Sequence, residues 1–129
     1  LLVHLFQQVA MDPKTRRINE ILFHKFEFTD EMCDMRRQRQ FVWLDANERI
    51  ALALSNASRQ GQLPADLNPH RGAICLHAYI HGILGQWLLV PDSFPLFQDA
   101  ERLVDTVLDM LRYSPALRDP STRSDDTRV

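Results

Sequence analysis

Two histidines, His77 and His81, stand four residues apart in the run GAICLHAYIHGILGQWLLV (72–90). On a helix that spacing puts both imidazoles on one face, where they could share a metal ion or a proton. The rest of a metal site is missing. No acidic side chain lies on the same turn, and Cys75 points about 160° away at 100° per residue. No metal is expected, and the imidazoles read as polar groups lining a partly polar interior. No nucleophile motif and no glycine-rich phosphate loop is present, so no catalytic residue, no cofactor and no enzyme activity is expected. Arg36, Arg37 and Arg39 alternate with Gln and read as a solvated helix face rather than a nucleic-acid contact.

The aromatic residues offer a different chemistry. Phe6, Phe23, Phe26, Phe41 and Trp43 fall on the expected inward sides of three helices. They could close as a plain core, or line a cavity for a bulky apolar ligand with Asn19, His77 and His81 as its polar groups. An Asn beside two His tips the reading towards a cavity, because a dry core leaves such groups hard to satisfy.

The elements that must hold these groups are helices. The 129 residues set a limit of about one domain. Only four Gly argue against a β-rich fold, and two Cys (Cys33, Cys75) fit a reducing cytoplasm. Fifteen basic against 17 acidic residues give a net charge of -2, without the basic excess of a chain held to nucleic acid by its own electrostatics. LLVHLFQQVA (1–10) repeats Leu2, Leu5, Phe6 and Val9 in helical steps, with neither the basic start nor the cleavage site of a signal peptide. It reads as a chain entered within a helix, its N-terminal part missing.

Asp12-Pro13 starts the next helix, with Ile18, Ile21, Leu22 and Phe26 as its buried stripe. Thr29 starts a third, uninterrupted to Gln60 and stopped by Gly61. GQLPADLNP (61–69) is a loop, 70–89 a helix, PDSFP (91–95) a turn, and about 97–113 a last amphipathic helix. On that last helix Ala100, Val104, Val107, Leu108 and Leu111 face inward. Residues 119–129 are expected to be disordered. The fold class is all-α.

The segment 72–90 has no formal charge, yet His77, His81 and Gln86 speak against a membrane span. A soluble helix apolar all round must be covered all round. One face carries His77, Ile80, His81, Leu84 and Leu88. The other carries Cys75, Ala78, Tyr79, Gly82, Gln86 and Leu89, and Ala78-x3-Gly82 leaves room for close approach by another helix. That second face is expected to meet a copy of the chain across a two-fold axis, or else to be covered by the last helix alone.

TRRINEILFHKFEFTDEM (15–32), GQLPADL (61–67), GQWLLVPDSF (85–94) and SPALR (114–118) resemble, in order and spacing, the multidrug-efflux repressors of the tetracycline-repressor (TetR/AcrR) family. The resemblance implies a five-helix ligand-binding and dimerisation domain over 1–118, a tail over 119–129, and a helix-turn-helix domain absent ahead of Leu1. It implies a cytoplasmic bacterial repressor of an efflux-pump operon. It also implies a homodimer joined by a four-helix bundle of the last two helices, to which Val104, Leu108 and Leu111 contribute from the last. Operator DNA would be a partner only through the missing domain. Antibiotics, plant phenolics and biocides would be the ligands that release it.

By position, the resemblance places a ligand pocket on Leu1, Leu2 and Leu5 of the first helix and on Asn19, Leu22 and Phe23 of the second. It continues through Trp43, Leu44, Ala46 and Ile50 of the third, and closes with His77, Ile80, His81 and Leu84. Asn19 would bond a ligand hydroxyl or carbonyl, and Leu1, Leu2 and Leu5 would transmit occupancy to the DNA-binding part. Phe26, Trp43 and Gly85 depart from the family pattern, so both the volume and the polar end of the pocket belong to this chain. The alternative is a dimerisation domain with a closed core and no ligand.

Overall fold

The computed structural model describes residues 2–24 and 33–119, with side chains over 2–21 and 36–119. Five α-helices follow in order: α1 Leu2–Met11, α2 Pro13–His24, α3 Cys33–Arg59, α4 Pro69–Leu89 and α5 Leu96–Tyr113, with a short 3-10 turn Pro115–Leu117. Three of the described boundaries have a clear local cause. Asp12 caps α2, accepting at Oδ1 from the Lys14 N–H (3.2 Å) and at Oδ2 from the Thr15 hydroxyl (2.7 Å). Asn68 caps α4 through the Arg71 N–H (3.0 Å), with Pro69 following where its missing donor costs nothing. Gly61 adopts a φ of 78° just beyond α3, the left-handed stop that its type allows. The expected end of α2 at Phe26 and the start signal at Thr29 lie outside the described residues, as does the tail from 120 onward.

α4 is the axis of the domain, and two apolar clusters form along it. Around its C-terminal half, Leu84, Trp87 and Leu88 pack with Phe6 and Val9 of α1 and with Leu96, Ala100 and Val104 of α5. Around its N-terminal half, Ala73 and Leu76 pack with Ala51 and Leu54 of α3, Leu67, Val107 and Leu111 of α5, and Leu117. The α5 stripe lies inward as its periodicity predicts, with Leu108 half-buried between the clusters. Gly72 lets α3 and α5 close on α4, since a Cβ there would lie 3.0 Å from Leu54 Cδ1 and 3.4 Å from Leu111 Cδ2. The segment after α5 folds back onto the loop before α4. Leu67 pairs with Arg118, the Asn68 N–H donates to the Leu117 carbonyl (2.8 Å), and the Asp119 N–H donates to the Asp66 carbonyl (2.8 Å).

Several expectations from periodicity are corrected. Ile18 and Ile21 are about half exposed rather than buried. α2 is turned so that the Arg16 guanidinium lies 4.7 Å from the ring centre of Trp87, and that rotation carries the two isoleucines outward. Phe41 is exposed, because none of residues 36–44 of α3 reaches either cluster. Val104 and Leu111, which the resemblance places at a partner interface, are 8% and 1% exposed within the single chain, where they lie in its own clusters. No helix among the described residues is long and apolar enough to cross a membrane.

Candidate functional site

Where α3 crosses α4, polar and aromatic side chains meet between the two apolar clusters. The Trp43 and His77 rings stack with centroids 5.9 Å apart and planes 23° from parallel, and His77 meets His81 edge-on at 6.5 Å. His77 Nδ1 lies 3.2 Å from Asn47 Oδ1. With that oxygen accepting, the imidazole donates from Nδ1 and keeps Nε2 for a second partner. Asn47 Nδ2 is buried and meets no hydrogen-bond partner among the described residues. An amide left so is costly, and a ligand oxygen is one way to satisfy it. His81 is held below the ordinary imidazole value by burial first, then by the charges of Arg39 and His77.

Of the residues expected to line a pocket, the seam brings together Trp43, His77 and His81. Half-buried Ala46 and Ile50 of α3 and Ile80 of α4 flank them. Leu2 packs against both apolar clusters, Leu84 belongs to the first, and Leu5 is about one-third exposed. Leu44 is 58% exposed, one helical step round from Trp43, and does not face the seam. Asn19 Nδ2 donates to the Thr15 carbonyl of its own helix (2.9 Å), so part of its hydrogen-bonding capacity is spent locally. Leu1 and the side chains of Leu22 and Phe23 lie outside the described residues. The sequence reading missed Asn47 altogether. Its signal was there, one turn beyond Trp43 on the same face of α3. A separate cleft of about 260 Å³ lies at the α1–α2 corner, rimmed by Met11, Arg16, Arg17 and Glu20.

On the opposite side of α4, Ala78, Gln86 and Leu89 are exposed, and a Cβ at Gly82 would meet nothing within 4 Å. Cys75 and Tyr79 are half-buried, and the Tyr79 hydroxyl donates to the Leu103 carbonyl of α5 (2.7 Å). Burial raises the Tyr79 pKa, partly opposed by Thr106.

Residues 1–113 match the model for the C-terminal region of MAATS-type transcriptional repressors, TetR_C_2. Among curated relatives, the chain is 56% identical over 118 residues to the probable HTH-type transcriptional regulator ArpR of Pseudomonas putida, covering 92% of this chain and 56% of ArpR. It is 55% identical over 118 residues to the HTH-type transcriptional regulator TtgR of the same species, with the same coverage. The HTH-type regulator AcrR of Shigella flexneri is 34% identical over 122 residues, 95% of this chain and 57% of AcrR. The chain thus spans little more than half the length of these relatives. Among solved structures, NalD, the secondary repressor of the MexAB-OprM multidrug efflux pump in Pseudomonas aeruginosa, superposes with a TM-score of 0.75 at 25% identity, over 88% of this chain and 59% of NalD. MexZ, described as a key repressor responsible for antibiotic resistance in the same organism, gives 0.69 at 28% identity, over 92% and 60%. The family resemblance, the all-α architecture and the absence of an enzymatic role expected from the sequence agree with these matches. This chain belongs to the TetR family of transcriptional regulators, whose C-terminal region it carries.

Proposed function

We propose that the chain is the effector-binding and dimerisation part of a cytoplasmic bacterial repressor of a multidrug efflux pump operon. A bulky amphipathic molecule enters beside the α3–α4 seam, and its binding releases the full-length dimer from operator DNA held by a helix-turn-helix domain. The observation that carries this reading is the seam itself. Among the described residues, Asn47 keeps a buried donor without a partner, beside partly covered aromatic and imidazole rings, in a family of regulators. The exposed Ala78–Gly82–Gln86–Leu89 side of α4 supports a two-fold contact between copies.

Release follows from linkage. A two-fold operator needs its recognition helices about one DNA turn apart, roughly 34–36 Å. A ligand that fits only a dimer of another spacing draws the population away from DNA. A thermal-shift screen of the chain against amphipathic antibiotics and phenolics tests the sensor. Ligand at 100 times its dissociation constant adds about 2.7 kcal/mol, roughly 5–10 °C for a domain of this size. A chain that sediments as a dimer yet shifts with no compound would replace this reading with the closed-core dimerisation domain.

A further inference from the structure

α2 is seated with its polar side inward. Among its described side chains, 13–21, those of Thr15, Arg16, Asn19 and Glu20 are half-buried and none is fully buried. Arg16 lies over Trp87 of α4 at 4.7 Å, Asn19 donates to the Thr15 carbonyl, and Glu20 pairs with Arg16 at 3.5 Å. The side turned away carries Ile18 and Ile21, 50% and 45% exposed, which lie about 140–160° round the helix from Arg16. A surface helix ordinarily does the reverse, with its apolar stripe inward and its charges outward. Next to the isoleucines, the α1–α2 corner opens as the cleft of about 260 Å³, rimmed by Arg17 and by Met11, which is 66% exposed. An apolar ridge beside a pit offers a partner both a surface to pack on and a socket to fill.

We propose that the outer side of α2, with the adjoining cleft, is the surface on which the DNA-binding part of the whole protein docks. The inference rests on the repressor reading above and adds the surface that joins its two parts. The occupant follows from the length of chain outside the structure. Residues 1–113 match a C-terminal region, and the chain covers only 56% of ArpR, so the remaining part of such a repressor leads into α1. α1 has 10 residues, a length of about 15 Å, which keeps α2 within reach of what precedes it. A second copy of the chain is the weaker occupant, because the two-fold contact has its own exposed side on α4, at Ala78, Gln86 and Leu89.

The test compares the chain with the whole protein. Ile18→Cys and Ile21→Cys are alkylated in each, and the rate is read on the α2 peptide by mass spectrometry, so that Cys33 and Cys75 do not interfere. Both positions are expected to react about tenfold more slowly in the whole protein, as a covered site reacts only when it opens. Glu101→Cys, at an exposed position of α5, should react equally in the two. In a second measurement, Ile18→Ser with Ile21→Ser should split the thermal unfolding of the whole protein into two steps and leave that of the chain unchanged.

Equal alkylation of α2 in the chain and in the whole protein would overturn the proposal. So would protection in the chain that grows with its concentration, which would assign the surface to a second copy. If the whole protein still binds operator DNA and leaves it with a phenolic in that event, the repressor reading stands without this surface. If it binds no DNA, both fall together.

Discussion

The Arg16–Trp87 contact allows a stability prediction in which two explanations give different numbers. The guanidinium sits 4.7 Å from the ring centre of a tryptophan that is 5% exposed, while the Arg16 side chain is 34% exposed. A cation over an aromatic face is worth about 0.5–1 kcal/mol in water and about 2 kcal/mol when desolvated, so this half-covered case falls at about 1–1.5 kcal/mol. Arg16 also pairs with Glu20 at 3.5 Å, but that is a partly exposed i,i+4 contact worth only about 0.3–0.5 kcal/mol. Glu20 keeps Arg17 at 3.7 Å when Arg16 is removed. Arg16→Gln should therefore cost about 1–1.5 kcal/mol, and Glu20→Gln no more than about 0.5 kcal/mol. Urea denaturation followed by far-ultraviolet circular dichroism reads both without relying on tryptophan emission. In a Trp87→Leu background the cost of Arg16→Gln should fall to the ion-pair remainder. Equal costs for Arg16→Gln and Glu20→Gln, or a cost unchanged in Trp87→Leu, would refute the contact as the cause.

Phe6→Ala empties a fully buried site between α1, α4 and α5 and should cost about 3–5 kcal/mol, whereas Phe41→Ala at an exposed site should stay within about 0.5 kcal/mol, both by urea denaturation. Tyr79→Phe removes the donor to the Leu103 carbonyl and should cost about 0.5–1.5 kcal/mol in the same assay. The Thr15 hydroxyl and then the Lys14 N–H, bonded to the Asp12 carboxylate, hold its pKa below the ordinary 3.8. A depressed carboxylate stabilises the fold above its unfolded pKa and loses that contribution as pH falls through the folded value. Asp12→Ala should thus lower the melting temperature at neutral pH, with a gap to the parent chain that closes on acidification below the carboxylate range. A constant gap across pH would exclude the charged cap as its source.

The helices most legible in the sequence were those whose signals were purely local. α5 shows one apolar stripe and buries it, and the Asn68-Pro69 pair starts α4 in the way its chemistry dictates. α2 was misread because periodicity treats Arg16 as a solvent residue. Only the three-dimensional placement of Trp87, from another helix, makes that arginine an inward group. The site was half legible for a related reason. The histidine pair could be put on one face from its spacing, but the partner that orients His77 comes from α3, thirty residues away along the chain. Val104 and Leu111 illustrate a conflict that counting positions cannot resolve. The same stripe could serve the core or a partner, and within the single chain both residues lie in the core.

The clasp between residues 117–119 and the loop before α4 has a mechanical consequence. Leu67 with Arg118, Asn68 with Leu117 and Asp66 with Asp119 are joined, and the Asn68 side chain adds a bond to Asp119 (2.9 Å). Segment 66–119 is thereby fastened at both ends into a closed loop that contains α4 and α5. Two helices buckled in this way cannot slide independently, because a shift of one draws the other through the fastening. Amide hydrogens along the two helices should therefore open to exchange as one cooperative unit.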